Sequence, residues 1–146
     1  MANYYGFTRT NYFRVTDEDR LRKIIRSCAC GEDTLTLFEN AEDGERTWFG
    51  FGCYDSIRGL DLSDSADEDD YPDYDYDAFA SALQKILCEG DAIIITEVGY
   101  EKLRYLTATA FIITKTDMQC LDLNIDAVKT AQEMLGDSSY NTIMEY

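Results

Sequence analysis

Residues 92–114 read AIIITEVGYEKLRYLTATAFIIT and carry the clearest strand pattern in the chain. Residues 92–97 and 103–114 are rich in β-branched and aromatic side chains, which favour strands. Gly99 lies between the two runs and is typical of a turn. The stretch therefore predicts an antiparallel hairpin and, around it, a mostly antiparallel sheet.

The segments on either side extend this pattern with helices and a further hairpin. Thr16 is expected to cap a first helix that runs to about Cys28 and ends at Gly31. The Asp43-Gly44 pair predicts a turn between two strands. The remaining predicted elements are strands at 11–15, 34–39, 46–54 and 118–123, a helix from about Asp77 to Gly90, and a helix at 127–135 that Gly136 ends.

These elements predict a single α+β domain over residues 1–136, followed by a loosely held tail at 137–146. The domain is expected to have a mostly antiparallel sheet and about three helices, arranged as strand–helix–hairpin units. An acidic insert at 55–77 separates the first hairpin from the second helix. The residues expected to be buried together are Trp48, Phe51, Leu83, Ile94 and Phe111.

The charge balance restricts the partners that this chain can have. Its 146 residues include 29 acidic and 13 basic residues, for a formal net charge of −16. Residues 31–80 alone hold sixteen acids and two bases. Such a surface repels nucleic acid and anionic membranes, so we expect direct binding to neither. The chain has no apolar run of membrane-spanning length and no signal-peptide pattern, so we expect a cytoplasmic protein.

The residue types behind most catalytic sites are missing or lack a pattern. The absence of histidine excludes Ser-His and Cys-His nucleophile pairs and histidine zinc sites. The five cysteines include no CxxC pair and are expected to be reduced and mostly buried. A calcium loop starting at Asp73 fails, because Ala78 and Gln84 stand where Gly and Glu are needed. We predict no enzyme activity, metal or cofactor, with a carboxylate-dependent metalloenzyme as an alternative.

The acidic insert is the candidate binding segment, since ten acids and one base lie from Asp55 to Asp77. In an extended chain, alternate residues face the same side, so Asp73, Asp75 and Asp77 would form a carboxylate row. Such a row can occupy a cationic channel that holds a duplex, while tyrosines stack on its arginines. The predicted partner-binding residues are Asp61, Asp64, Asp67, Glu68, Asp69, Asp70, Tyr71, Asp73, Tyr74, Asp75, Tyr76 and Asp77. A secondary set consists of Glu42, Asp43 and Glu45.

Three segments carry a family resemblance: NYFRVTDEDR at 11–20, WFGFGCY at 48–54 and EKLRY at 101–105. The chain resembles small acidic proteins carried on mobile elements of gut Firmicutes. Such accessory proteins resemble the anti-defence class of ArdA-type antirestriction proteins and anti-CRISPR proteins. The resemblance implies an inhibitor of a host nuclease, with a Cas9-type CRISPR effector as the first target and a restriction enzyme as the second.

Together with the charge pattern, this resemblance predicts a basic nucleic-acid-binding protein as the partner and acidic DNA mimicry as the mode of inhibition. A regulatory module that binds a basic protein surface without mimicry is the alternative. The two differ in whether binding competes with DNA. The sequence leaves the oligomeric state open.

Overall fold

A computed structural model describes residues 3–31, 34–41, 47–62 and 73–143 of the chain. Its described part contains nine strands and three helices. The strands are β1 (Tyr5–Thr10), β2 (Cys28–Cys30), β3 (Thr36–Asn40), β4 (Trp48–Tyr54), β5 (Ile57–Asp61), β6 (Tyr74–Asp75), β7 (Ile93–Glu101), β8 (Tyr105–Ile113) and β9 (Met118–Asp122). The helices are α1 (Glu18–Arg26), α2 (Tyr76–Ile86) and α3 (Leu123–Leu135). The predicted α+β class with a mostly antiparallel sheet is confirmed.

Six strands form the main sheet in the order β3-β4-β1-β7-β8-β9, and all neighbouring pairs are antiparallel. The hairpin predicted within residues 92–114 is formed by β7 and β8. Its turn lies at residues 102–104 and not at Gly99, where the sequence pattern placed it. Gly99 lies inside β7, paired with Thr107, and the Tyr4 ring occupies the space that a Cβ atom there would need.

The strand β1 lies inside the main sheet, between β4 and β7, and was not predicted. The predicted strand at 11–15 makes only two isolated bridges instead. In β1, Thr8 and Thr10 are buried on the core side, while Tyr5 and Phe7 are exposed on the other side. The strand therefore escapes a search for buried apolar residues, because its large residues face away from the core.

Two helices and the small sheet β2-β5-β6 pack on one face of the main sheet. α1 begins after Asp17, whose carboxylate accepts a hydrogen bond from the Arg20 N–H at 2.9 Å; the predicted cap, Thr16, is one residue too early. α1 and α2 each bury an apolar stripe, as their spacing predicts. Principal core residues are Leu21, Ile24 and Ile25 of α1, Phe79, Leu83 and Ile86 of α2, and Phe49, Phe51, Ile93, Ile95 and Ile113 of the main sheet.

The predicted core is correct for three of its five residues. Phe51 and Leu83 are fully buried, and Phe111 is partly buried and packs against the same core cluster. Strand pairing places Trp48 and Ile94 on the opposite face of the sheet, where Ile94 is 37% exposed. β4 and β7 carry apolar residues on both faces, so alternation cannot decide which face a given residue occupies.

α3 lies at the β8–β9 edge of the main sheet and buries none of its residues. Asp122 caps its start, and Gly136 ends it in the left-handed conformation with φ 64°, as predicted. The Asn124 amide attaches the helix to β8 by donating to the Leu106 carbonyl oxygen at 2.8 Å. Within the described ranges, no helix has the length and hydropathy needed to cross a membrane.

Candidate partner-binding surfaces

The acidic insert begins and ends in paired strands. β5 and β6 pair as far as Asp61 and Tyr74. Beyond this pair, the Leu62 N–H donates to the Asp73 carbonyl oxygen at 2.8 Å. The fold therefore holds the two ends of residues 63–72 next to each other, as the arms of a hairpin are held.

Four of the predicted acidic residues lie in the described part of the insert. Asp61, Asp73 and Asp77 are exposed, and Asp61 and Asp73 lie at the same end of the β5–β6 pair. Asp75 caps α2, since its Oδ1 accepts a hydrogen bond from the Ala78 N–H at 2.9 Å. The predicted row of three carboxylates is wrong: β6 ends at Asp75, so Asp77 belongs to the first helical turn and not to an extended chain.

The two described tyrosines of the insert have different surroundings. The Arg58 guanidinium lies over the Tyr74 ring, with its central carbon 5.8 Å from the ring centroid. Tyr76 starts α2 and meets the rings of Phe79 and Phe111 at centroid distances of 5.9 and 5.4 Å. Burial raises the pKa of Tyr76 to about 12. The Tyr76 ring therefore packs against the core, contrary to the expectation of an outward-facing side chain, and its part in partner binding stays a prediction.

Nine predicted site residues lie outside the described residues: Asp64, Asp67, Glu68, Asp69, Asp70, Tyr71, Glu42, Asp43 and Glu45. The first six belong to the stretch that Leu62 and Asp73 enclose, and the other three belong to the connection between β3 and β4. Their role in binding stays a prediction. Their charge follows from the sequence alone, and residues 63–72 contribute five acids and no base.

Two arginines from the basic N-terminal part form ion pairs within the fold. Arg14 binds Asp91 through Nη2–Oδ1 and Nε–Oδ2 contacts of 2.9 and 3.1 Å, and it also covers the Trp48 ring at 4.5 Å. The hydrogen bond from Arg14 lowers the pKa of the Asp91 carboxyl. Arg22 of α1 pairs with Glu39 of β3. Both acids lie outside the insert, so these two pairs do not neutralise it.

The outer face of the main sheet is a second candidate surface, which the sequence analysis missed. We call it the open aromatic face, and its large exposed side chains are Tyr5, Phe7, Tyr54, Val98, Tyr100 and Leu106. Tyr5 stacks on Tyr100 at a centroid distance of 5.8 Å, and Phe7 meets Tyr54 edge-on at 5.6 Å. Aromatic residues at alternate positions of β1 are the sequence signal that could have revealed this surface.

The open aromatic face carries no acidic residue at the described strand positions that pairing turns outward. Arg9 is the only charged residue among these positions, and its guanidinium lies 4.8 Å from the centroid of the Phe38 ring. Gly52 occupies an outward position of β4 and lines a groove beside Tyr54 and Phe38. Contiguous exposed apolar surface of this kind marks interaction sites on soluble proteins.

The cysteines form no disulfide, and three of the five are buried, as predicted. Burial raises the pKa of the Cys28 and Cys53 thiols to about 12, which keeps both protonated and unreactive at neutral pH. The described residues contain no group of three histidine, cysteine or carboxylate side chains that could hold a metal ion.

Comparison of the chain with protein-family models, curated proteins and solved structures gives no match. The resemblance to anti-defence proteins that residues 11–20, 48–54 and 101–105 suggested is not tested by these comparisons and stays a prediction. The two surfaces themselves are defined by the chain's own residues.

Proposed function

We propose that this protein is a non-enzymatic inhibitor that enters the cationic nucleic-acid channel of a bacterial defence nuclease. A Cas9-type CRISPR effector is the first target class, because it holds its heteroduplex and displaced strand in positively charged grooves. The inhibitor acts in the cytoplasm of the bacterial host. One observation carries the proposal: nine acids and no base lie from Asp61 to Asp77, and the fold holds both ends of this stretch together.

The anchoring at β5 and β6 makes the negative charge more effective for binding. Because the ends of residues 63–72 are held, part of the chain entropy that binding would remove is already lost on folding. Asp61 and Asp73 add exposed carboxylates at the base of the stretch. The resulting field attracts a cationic groove over about 8 Å at physiological salt and acts mainly on the association rate.

The first test is competition between this protein and DNA for a purified, guide-loaded Cas9-type effector. We expect binding to weaken as sodium chloride rises from low to several-fold physiological concentration, with the main effect on the association rate. An effector already saturated with target DNA should not bind the protein. Binding that coexists with DNA and ignores salt would contradict mimicry and favour the alternative of a non-mimic regulatory module.

The second test removes four negative charges from the insert in one variant and four negative charges from other parts of the chain in a control variant. The insert variant replaces Asp67, Glu68, Asp69 and Asp70 with the corresponding amides. The control variant replaces four exposed acids outside the insert with amides: Glu89, Asp117, Asp126 and Glu133. Both variants change the net charge equally, so a local role predicts that only the first slows association, by about 10-fold or more.

The interpretation of this comparison depends on both variants remaining folded. Surface substitutions of this kind usually change stability by less than about 0.5 kcal/mol, which thermal unfolding will verify. Equal slowing by both variants would show that net charge, and not the insert, drives binding. Repeating the assays with a restriction enzyme in place of the CRISPR effector tests the second target class.

A further inference from the structure

We infer that two copies of this chain pack face to face through the open aromatic face and form a two-fold symmetric dimer. The inference is independent of the proposed inhibition, because it concerns the opposite face of the main sheet from the β5–β6 hairpin. Three observations support it: the apolar area of the face, its charge and its shape.

The apolar area is close to what a stable dimer needs. Tyr5, Phe7, Tyr54 and Tyr100 are each about half exposed or more, up to 67% for Tyr54. At about 200 Å² per aromatic residue, the four rings expose roughly 450 Å² of surface. Aliphatic neighbours on β7 and β8 raise the patch to roughly 700 Å², above the 300–600 Å² of the largest patch on a typical monomer. A standard interface buries about 800 Å² on each partner.

The charge of the face selects a second copy over a cationic partner. Like charges that meet across an interface are costly, and a chain of net charge −16 would meet them on most of its surface. The outward strand positions of the open aromatic face carry no described carboxylate, so two copies can meet here without that repulsion. A cationic protein would find no opposite charge on this face, and the insert is the surface that suits it.

The face carries both projecting aromatic side chains and grooves, the combination that a two-fold symmetric interface needs. Phe7 lies between two grooves and lines both of them. One groove, of about 590 Å³, runs past Gly52 and Phe38. The other, of about 340 Å³, lies beside Leu106 and the first residue of α3, Leu123. In a symmetric dimer each surface meets its own copy, so the aromatic ridge of one chain can enter a groove of the other.

The experiment measures the mass of the full-length protein by sedimentation equilibrium over a range of concentrations and salt. We expect a dimer that tightens as salt rises, because screening reduces repulsion between two chains of −16. This salt dependence is opposite in sign to that of the proposed nuclease binding, so failure of one proposal is distinguishable from failure of the other.

The variant Leu106→Glu tests the surface, and Leu103→Glu is its matched control. Leu106 is 67% exposed on the open aromatic face, whereas Leu103 is 89% exposed in the turn between β7 and β8. Because the dimer is symmetric, the substitution places two carboxylates in the interface, one from each chain. Leu106→Glu should therefore raise the dimer dissociation constant by about 100-fold or more. The control should change it by less than about threefold, in line with the small effects of surface substitutions.

Val98→Glu provides an independent second variant from the centre of the face, between Phe7 and Ala108. Circular dichroism and thermal unfolding establish that each variant is folded before its mass is interpreted. Three results would overturn the inference: a wild-type chain that stays monomeric throughout, folded Leu106→Glu and Val98→Glu variants that still dimerise, or equal weakening by Leu103→Glu.

Discussion

Replacing Tyr76 with alanine tests the assignment of this residue to the core. The ring lies between Phe79 and Phe111, with centroid distances of 5.9 and 5.4 Å. Truncating a fully buried aromatic residue costs about 3–5 kcal/mol, and each aromatic pair contributes about 0.5–1.5 kcal/mol beyond burial. Because Tyr76 is only partly buried, we expect Tyr76→Ala to lower the free energy of unfolding by about 2–4 kcal/mol.

Two matched variants separate the core role from the binding role that the sequence pattern suggested. Tyr76→Phe keeps both ring contacts and removes only the hydroxyl, so its cost should stay within about 1 kcal/mol. Tyr74→Ala removes a ring that contacts Arg58, and the loss of one cation–π contact should cost about 1 kcal/mol or less. Tyr74→Ala is therefore the control for losing a neighbouring tyrosine from the same segment.

Urea unfolding followed by circular dichroism and by Trp48 fluorescence measures these differences. For a domain of this size, the expected loss for Tyr76→Ala lowers Tm by about 6–12 °C. A Tyr76→Ala variant within about 0.5 kcal/mol of wild type would refute the core assignment. In that case Tyr76 would return to the set of partner-facing residues.

Two further predictions follow from burial and charge. In the folded protein a thiol reagent at pH 8 should modify Cys120 first, because Cys120 is exposed whereas burial raises the pKa of Cys28 and Cys53 to about 12. Mass spectrometry after a short exposure to the reagent measures the labelling of each cysteine. Equal labelling of Cys28, Cys53 and Cys120 would contradict the prediction. Asp91→Asn should lower stability at pH 7 by about 1–2 kcal/mol, because its 8% exposed side chain pairs with Arg14. The folded pKa of Asp91 is lowered, so this contribution is present above about pH 4 and is lost as pH falls through the folded pKa. Chemical unfolding at a series of pH values from 7 into acid should therefore show that the difference between variant and wild type is constant above about pH 4 and narrows only below it.

The hairpins were predictable because local signals specify them. The two strand-like runs in residues 92–114 form the β7–β8 hairpin, and the Asp43-Gly44 pair lies between strands that do pair. The turn of the second hairpin was misplaced because glycine often marks a turn, whereas Gly99 does not adopt a positive φ and its missing side chain leaves room for the Tyr4 ring. Local sequence therefore predicts that two strands pair more reliably than where they turn.

Which strand residues face the core was not predictable from the alternation of apolar and polar residues, because several strands carry apolar residues on both faces. Trp48 and Ile94 were assigned to the core on residue type alone, and tertiary pairing places them outside. Tyr76 was misassigned for the opposite reason, since its acidic neighbours suggested a solvent-exposed segment. The contact with Phe111 joins residues 35 positions apart in sequence, so no local pattern reveals it.

The hydrogen bond between Leu62 and Asp73 also has an evolutionary consequence. It closes the β5–β6 hairpin independently of what residues 63–72 contain. Loop-closure entropy grows slowly, by about 0.6 kcal/mol for each doubling of loop length. Under the proposed function, selection can therefore lengthen, shorten or rewrite this stretch to follow a changing target, while the core keeps the same residues and the same folding requirements.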